Sequence, residues 1–160
     1  MAFAGAQGAE SLEALLKKVA AAKAQGKKIV FTNGCFDIIH RGHVSYMNRA
    51  RALGDMLIVG MNSDASVRAL KGPTRPVNAE ADRAFVLTNL KAVDAVVIFD
   101  DETPLKLIEA VTPHVLVKGG DWPVDEIVGN THVTAHGGEV LSLSLEEGYS
   151  TTGIIARAKS

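Results

Sequence analysis

Residues 28–43 read Lys28-Ile29-Val30-Phe31-Thr32-Asn33-Gly34-Cys35-Phe36-Asp37-Ile38-Ile39-His40-Arg41-Gly42-His43. An apolar run leads into a glycine turn, and an amphipathic helical pattern follows as far as Leu53. A strand that passes its chain directly into a helix is the opening unit of an α/β fold. The free backbone N–H groups of the first helical turn point outward, and the helix dipole favours negative charge. The stretch therefore predicts an anion site.

Two histidines flank the glycine at this predicted helix start. His40 and His43 supply donors whose charge can rise when a polyphosphate binds, and Gly42 allows a ligand to approach the backbone closely. We interpret the segment as a phosphate-handling site that acts on a nucleotide. A metal pair is the weaker interpretation, because zinc needs three or four ligands and the chain offers one cysteine and no further histidine at ligand-like spacing. Two ordinary surface histidines are the remaining alternative.

The composition is typical of one compact domain. The chain has 160 residues, 47% of them hydrophobic, which is enough for a buried core without cross-links. A net charge of −1 gives no general attraction to nucleic acid. The lone cysteine suits a reducing cytoplasm, and the sequence has neither a membrane-spanning run nor the pattern of a signal peptide. We expect a cytoplasmic protein with no membrane or nucleic-acid partner.

The domain is expected to cover residues 28–160, after a short N-terminal region of residues 1–27. Residues 1–10 are rich in alanine and glycine, and we expect them to be loose. From Ser11 onward, the apolar spacing predicts an amphipathic helix that ends near Gly26.

Strand and helix patterns then alternate along the chain. Apolar runs predict strands at residues 28–33, 56–62, 95–99, 115–118 and 139–143. Helical spacing predicts helices at residues 42–53, 65–70, 79–90, 104–111 and 150–158. The strands read as apolar runs and not as alternating patterns, which is typical of a sheet covered on both faces. We predict a Rossmann-like α/β fold with a mainly parallel sheet of about five strands and helices on both faces.

In such a sheet, ligands bind beyond the carboxyl ends of the strands, where the strand order reverses. The segments that follow four of the predicted strands carry polar residues and glycines, as this rule requires. The candidate site residues in them are Asn33, Gly34, Cys35, Phe36, Asp37, Asn62, Asp64, Lys118, Gly120, Asp121, Trp122, Gly148, Ser150, Thr151 and Thr152. We predict that these segments form one shared site.

Several of these residues have a plain structural alternative. One of the three hydroxyl residues from Ser150 to Thr152 is expected to cap the last helix, and the other hydroxyls could hold phosphate oxygens. A carboxylate beside an anion site is unfavourable by itself. We therefore expect Asp37 to pair with a cation, to orient a donor or to help position Mg²⁺. Trp122 either lines the pocket or packs.

A basic loop follows the third predicted helical region. Lys71 and Arg75 could fold over a triphosphate, or the loop could be solvated surface. Arg83, early in the next helix, could face the same pocket or pair with Glu80 or Asp82.

The segments 34–43 and 150–152 together resemble the cytidylyltransferase-like branch of the HxGH nucleotidyltransferase superfamily. The segments 62–64, 70–72, 75–78 and 117–121 are similar to D-glycero-β-D-manno-heptose 1-phosphate adenylyltransferases, the adenylyltransferase half of the ADP-heptose synthases of Gram-negative bacteria. The resemblance extends over residues 28–157. Leu145-Glu146 stands where CTP-using members carry Arg-Thr, which agrees with ATP.

The resemblance implies that ATP and a heptose 1-phosphate give ADP-heptose and pyrophosphate, for the inner core of lipopolysaccharide. It also implies Mg²⁺ bound mainly through the ATP phosphates, a homodimer, and a separately encoded sugar kinase. We assign His40 and His43 to the α- and β-phosphates, and Lys71 with the start of the last helix to the departing pyrophosphate. Two alternatives remain open: a CTP-dependent enzyme that makes a CDP-alcohol, and a nucleotide-sensing module without chemistry.

Overall fold

The computed structural model describes residues 8–160. Its centre is one parallel sheet in the order β3-β2-β1-β4-β5. The strands are β1 (Ile29–Gly34), β2 (Met56–Asn62), β3 (Ala95–Phe99), β4 (Val115–Gly119) and β5 (Glu139–Leu143). The predicted five-stranded Rossmann-like architecture is confirmed.

Helices cover both faces of the sheet. They are α1 (Leu12–Ala24), α2 (Arg41–Arg51), α3 (Asp64–Lys71), α4 (Glu80–Thr88), α5 (Leu105–Val111), α6 (Asn130–Ala135) and α7 (Thr151–Ala158). One core cluster packs α1, α5 and α6 against the sheet, and a second packs α2 and α4 against the opposite face. Because both faces are covered, the strands can be apolar along their whole length.

Two short elements between β4 and β5 lie outside the predicted set. They are a 3₁₀ turn at Val124–Glu126 and the helix α6. The sequence of α6, Asn130 to Ala135, includes two threonines and a valine, which are weak helix formers. Val133 is fully buried in the core, so packing stabilises this helix where propensity does not.

The N-terminal helix follows the predicted pattern. The Ser11 hydroxyl accepts a hydrogen bond from the Ala14 N–H at 3.2 Å, and Gln25 closes the helix one residue before Gly26. Immediately before the helix, the Glu10 N–H donates to the Val96 carbonyl at 2.8 Å, so Glu10 is held against β3. Residues 1–7 of the segment expected to be loose lie outside the described residues.

The strand order reverses at β1. The chain runs outward from β1 through β2 to β3, and then crosses back to add β4 and β5 on the other side of β1. A crevice therefore forms between the loops that follow β1 and β4, which is where ligands bind in folds of this kind. No helix in residues 8–160 is long and apolar enough to span a membrane.

Candidate functional site

A cavity of about 600 Å³ opens at this crevice. The polar segments after β1, β2 and β4 and before α7 meet in its wall, as predicted. The sequence-predicted residues that line it are Asn33, Gly34, Cys35, Phe36, Asp37, His40, Gly42, His43, Asn62, Lys71, Arg75, Lys118, Trp122, Ser150, Thr151 and Thr152. His40 and Thr151 thus share one cavity although more than a hundred residues separate them in sequence.

The turn between β1 and α2 has an unusual backbone. Phe36 has φ 47° and Ile38 has φ 21°, conformations that L-residues with bulky side chains rarely adopt. Asp37, between them, is buried and stabilises the turn through both carboxylate oxygens. Oδ1 accepts from the Ile38 and Asn78 N–H groups, and Oδ2 from Val77 N–H and Arg75 Nε. Asp37 therefore fixes the loop of residues 75–78 to the turn, and its four acceptor positions are taken.

His40 and His43 hold the first turn of α2. His40 is the N-cap, and its Nδ1 accepts from the Gly42 N–H at 3.1 Å. His43 Nδ1 accepts from the His40 N–H at 3.3 Å. The two rings stack with centroids 3.8 Å apart. Gly42 is required here, since a Cβ would lie 2.9 Å from the His40 ring and 3.1 Å from Tyr149.

These contacts determine where each imidazole carries its proton. A backbone N–H can only donate, so both Nδ1 atoms are unprotonated acceptors, and the ring proton of the neutral form lies on Nε2. Burial, the neighbouring His40 and the Lys71 charge lower the pKa of His43 to about 4. Burial also lowers the pKa of His40. Near neutral pH, the pair offers two uncharged Nε2–H donors at a helix start.

The opening of α7 forms another wall of the cavity. Ser150 is the N-cap, and its hydroxyl accepts from the Gly153 N–H at 3.0 Å, as expected for one of the three hydroxyl residues. The hydroxyls of Thr151 and Thr152 make no hydrogen bond within the described residues. Two helix N-termini, those of α2 and α7, therefore present donors to the same space.

Three cations line the cavity as predicted. Lys71 is the last residue of α3. Arg75 is oriented by Asp37, whose Oδ2 lies 3.2 Å from Arg75 Nε. Lys118 ends β4 beside Trp122, with its Nζ 5.1 Å from the indole centroid. Trp122 is 52% exposed and lines the cavity, which answers whether it packs or faces the site.

Arg83 departs from its predicted position. It was expected to face the pocket or pair with Glu80 or Asp82, but it is 1% exposed and does not line the cavity. Its guanidinium donates to the carbonyls of Cys35, Asn62 and Asn78 and to the carboxylate of Asp64. Arg83 thus joins the ends of β1 and β2 to the loop before α4 and supports the site from behind.

Other predicted residues lie next to the cavity without lining it. Asp64 is engaged by Arg83 at 2.8 Å. Gly120 and Gly148 have φ 108° and 82°, a backbone conformation that favours glycine. They form the turns that position the neighbouring residues. Asp121 is exposed.

Gly119 and Tyr149, which lie within the polar segments predicted to form the site, also line the cavity. Sequence reasoning missed its other lining residues, which are Tyr46, Leu70, Glu102, Thr103, Pro104, Val128, Leu145 and Glu146. Residues 102–104 follow β3, so the rule that loops after parallel strands build the site would have found them. Tyr46 could not be predicted as a site residue, because in sequence it has the spacing of a core residue on the buried face of a helix. Its hydroxyl bonds Thr32 at 2.6 Å, and burial raises its pKa to about 12.

The described residues contain no group of three or more His, Cys, Asp or Glu side chains placed to hold a metal ion. Asp37, a possible Mg²⁺ ligand by sequence, uses both oxygens within the protein. The donor set therefore does not fit a metal held by the chain itself.

The fold and the site together define a Rossmann-like α/β domain of the HxGH nucleotidyltransferase type. The family description for cytidylyltransferase-like domains matches residues 31–157, and the chain belongs to that family.

Relatives with high sequence identity carry the name bifunctional protein HldE. The protein from Geotalea uraniireducens (strain Rf4) is 52% identical over 94% of this chain, and the one from Azotobacter vinelandii (strain DJ / ATCC BAA-1303) is 55% identical over 96%. The matches cover 31% and 32% of those proteins, so this chain spans about a third of their length.

Two solved structures share the fold. A lipopolysaccharide core biosynthesis protein from Thermoplasma volcanium GSS1 is 28% identical, with a TM-score of 0.63 over 78% of this chain and 100% of that one. A pantoate-beta-alanine ligase from Francisella tularensis is 14% identical, with a TM-score of 0.54 over 90% of this chain and 75% of that one. The second likeness concerns the fold alone.

Proposed function

We propose that this protein is a nucleotidyltransferase that transfers the adenylyl group of ATP to a heptose 1-phosphate, giving ADP-heptose and pyrophosphate. One observation carries the proposal. The His40–His43 pair and the first turn of α7 open into a single cavity at the point where the strand order reverses. Such an arrangement suits a triphosphate, which needs several donors along its length.

The proposed reaction is a direct displacement. A phosphate oxygen of the acceptor forms a bond to the α-phosphorus of ATP, and the bond to the β-phosphate oxygen breaks, so pyrophosphate leaves with the bonding electrons. A phosphate monoester has its second pKa near 6, so the acceptor is already anionic and needs no general base. The obstacle is repulsion between two anions. Nε2–H donors, Lys71, Lys118 and the two helix openings reduce it.

ATP as the nucleotide, with Mg²⁺ bound through its phosphates, belongs to this proposal, and ATP agrees with Leu145-Glu146, which stands where CTP-using members carry Arg-Thr. The acceptor follows from the resemblance to heptose 1-phosphate adenylyltransferases and agrees with the likeness to a lipopolysaccharide core biosynthesis protein. A cytoplasmic location, a homodimer and a sugar kinase acting upstream belong to the same proposal. In the longer relatives named bifunctional, the matched region is joined to further sequence.

An acceptor screen tests the proposal. The chain is incubated with MgATP or MgCTP and a panel of phosphorylated acceptors that includes synthetic heptose 1-phosphates, glucose 1-phosphate and glycerol 3-phosphate. We expect pyrophosphate release, and a product with the mass of ADP-heptose, with MgATP and a heptose 1-phosphate. Release only with MgCTP and an alcohol phosphate would support the cytidylyltransferase alternative. Nucleotide binding without release from any acceptor would support a sensing module.

A further inference from the structure

The arginine in the loop between α3 and α4 uses only part of its guanidinium within the protein. Arg75 Nε donates to Asp37 Oδ2 at 3.2 Å, and the two side chains are 13% and 1% exposed. The two Nη groups of Arg75 donate to no residue in 8–160, and neither is sealed from solvent. Arg75 lines the cavity, so these donors are available to a ligand there. A planar guanidinium with free Nη groups suits a phosphate, which can accept two hydrogen bonds from it.

The Asp37 carboxylate holds this arginine in place. Besides Arg75 Nε, it accepts from the N–H groups of Val77 at 2.7 Å and Asn78 at 3.0 Å. One buried group therefore ties both the side chain and the following backbone of the loop to the turn after β1. The guanidinium is ordered before any ligand arrives, so binding an anion costs it less conformational freedom.

Arg75 and the start of α7 lie on different sides of β1. The segment before α7 packs at the end of β4, where Leu145 Cδ2 lies 3.1 Å from the position that a Cβ of Gly119 would take. The loop of Arg75 is joined to the end of β2, because Arg83 donates to the carbonyls of both Asn78 and Asn62. In the sheet, β2 and β4 flank β1. Two walls that carry anion donors therefore face each other across the turn that holds the histidines.

Direct displacement uses two such walls. The attacking and the leaving oxygen lie roughly in line on opposite sides of the phosphorus. With the departing pyrophosphate at the opening of α7, the phosphate of the acceptor approaches from the side of β2, where Arg75 lies. A cation there reduces the repulsion between the two anionic reactants without holding the leaving group.

We infer that Arg75 binds the phosphate group of the acceptor through its Nη groups, and that Asp37 is the positioning residue that orients the guanidinium. The inference rests on the proposed nucleotidyltransferase function. It assigns Arg75 to the affinity for the acceptor and not to the affinity for the nucleotide. A role on the triphosphate, or a role only in holding the loop, predicts a different pattern of losses.

Binding measurements on the full chain separate these roles. The affinity for MgATP is measured alone by calorimetry. Heptose 1-phosphate, by calorimetry, and inorganic phosphate, by ³¹P NMR, are then titrated into the complex with Mg²⁺ and α,β-methylene-ATP, which occupies the nucleotide site and cannot transfer its adenylyl group. Arg75→Lys keeps the charge and loses the planar fork, so binding of both phosphates should weaken by at least about tenfold.

The same variant should leave the affinity for MgATP within about threefold of the wild-type value, since an isolated change outside the nucleotide contacts has a small effect. Arg68→Lys is the matched control. Arg68 is exposed on α3 and outside the cavity wall, so this variant should keep all three affinities. Equal losses for MgATP and heptose 1-phosphate in Arg75→Lys overturn the inference, as do unchanged affinities for both phosphates.

A double-mutant cycle tests the positioning role of Asp37. In Asp37→Asn, an amide NH₂ can replace the oxygen that accepts from Arg75 Nε, so acceptor affinity should fall while MgATP affinity is kept. If Asp37 acts through Arg75, the same change in an Arg75→Ala background should alter acceptor affinity by less than about twofold. An equal loss in both backgrounds would mean that Asp37 only supports the loop, and would overturn its positioning role.

Chemical rescue covers the case in which Asp37→Asn does not fold. Guanidinium ion added to Arg75→Ala should occupy the place beside Asp37 and recover acceptor binding, whereas methylammonium, which has the charge without the planar fork, should not. Failure of guanidinium to recover it, or equal recovery by methylammonium, overturns the inference.

The outcome is distinguishable from that of the acceptor screen. If no acceptor reacts but inorganic phosphate binds the analogue complex through Arg75, the proposed reaction fails and the phosphate site stands. If ADP-heptose forms and Arg75→Lys keeps the wild-type kcat/KM for the acceptor, the inference fails and the proposed reaction stands.

Discussion

His43 carries the main electrostatic consequence of the site at the scale of a single residue. Burial, the stacked His40 ring and the Lys71 charge all disfavour its protonated form, and its pKa falls to about 4. Its Nδ1 must also stay unprotonated to accept from the His40 N–H. Without a bound ligand, the site therefore presents neutral N–H donors. A bound polyphosphate would raise the pKa of His43 by favouring the charged imidazole, whereas the hydrogen bond from the His40 N–H to Nδ1 opposes protonation.

The low pKa of His43 predicts a pH dependence of stability. In the unfolded chain, this histidine takes up its proton near pH 6.5, whereas in the folded protein it stays neutral until about pH 4. Between those values the unfolded state binds more protons, so the His43 contribution to the free energy of unfolding is full above pH 6.5 and is lost as the pH falls toward 4. Urea unfolding from pH 7 to pH 4 should show a smaller loss in His43→Ala than in the wild type. Equal losses would contradict the assignment.

The second prediction at this scale concerns turnover. His43→Ala should lower kcat by at least about a hundredfold and change the ATP dissociation constant far less, because its Nε2–H contact tightens as charge develops at the transferred phosphate. Rapid-quench kinetics and calorimetry measure the two quantities separately. His136→Ala is the control, since His136 lies on the surface at the end of α6, away from this cavity. A His43→Ala variant with wild-type kcat would remove this residue from the mechanism.

Single side chains also mark the limit of what the sequence predicts. The His40–Gly42–His43 spacing indicated the anion site because the strand, turn and helix pattern around it is local. Arg83 could not be placed in the same way. Its partners, the carbonyls of Cys35 and Asn62, lie 48 and 21 residues away in the chain. Only the folded sheet brings them to one buried guanidinium.

At the scale of elements, the first turn of α7 contains one hydroxyl with a structural role and two that are free to bind a ligand. Ser150 caps the helix, while Thr151 and Thr152 line the cavity with hydroxyls that make no hydrogen bond within residues 8–160. Sequence alone indicated that one residue of the run would cap, but not which one. The choice depends on backbone geometry, since Ser150 is extended at φ −153° and ψ 149° while Thr151 is the first helical residue.

This division of labour predicts opposite effects of two substitutions. Ser150→Ala removes the cap and should lower the free energy of unfolding by about 1 kcal/mol. Thr151→Val keeps the side-chain shape and should leave stability within about 0.5 kcal/mol, but weaken MgATP binding by about tenfold if its hydroxyl donates to a phosphate oxygen. Chemical denaturation and calorimetry on both variants make the comparison. Unchanged nucleotide affinity in Thr151→Val would restrict the phosphate site to the backbone of α7.

The bounds of helices and strands were predicted most accurately where the local sequence pattern is strong. The bounds of β2, β3 and β5 match the predicted runs. The β3 sequence is apolar throughout, and the β2 and β5 sequences are mostly apolar. The helix α6 was missed because its residues have low helix propensity and it forms by burying Val133 against the core. The loop after β3 was missed as part of the site for a different reason. It carries no glycine cluster of the kind that marked the other loops, although parallel strands bring it to the same edge as the others.

At the scale of the whole molecule, the strand order determines which loops form the site. The order β3-β2-β1-β4-β5 places β1 at the centre, so loops from both halves of the chain converge on the turn that carries the histidines. The sequence predicted a mainly parallel sheet and a shared edge. The side-by-side placement of β1 and β4, which creates the cavity, is a result of the crossover between β3 and β4 and becomes certain only in the folded structure.

The convergence on one cavity predicts the stereochemical course of transfer. Adenylyl transfer can proceed directly to the acceptor or through a covalent enzyme intermediate, and the second route needs a nucleophile facing the α-phosphorus. The cavity residues do not favour one. Burial raises the pKa of the Cys35 thiol, and both histidines present a protonated Nε2. One displacement inverts the configuration at phosphorus, while two displacements retain it. ATP with a chiral α-thiophosphate should therefore give a product of inverted configuration, assigned by ³¹P NMR, and retention would indicate a covalent intermediate and contradict direct displacement.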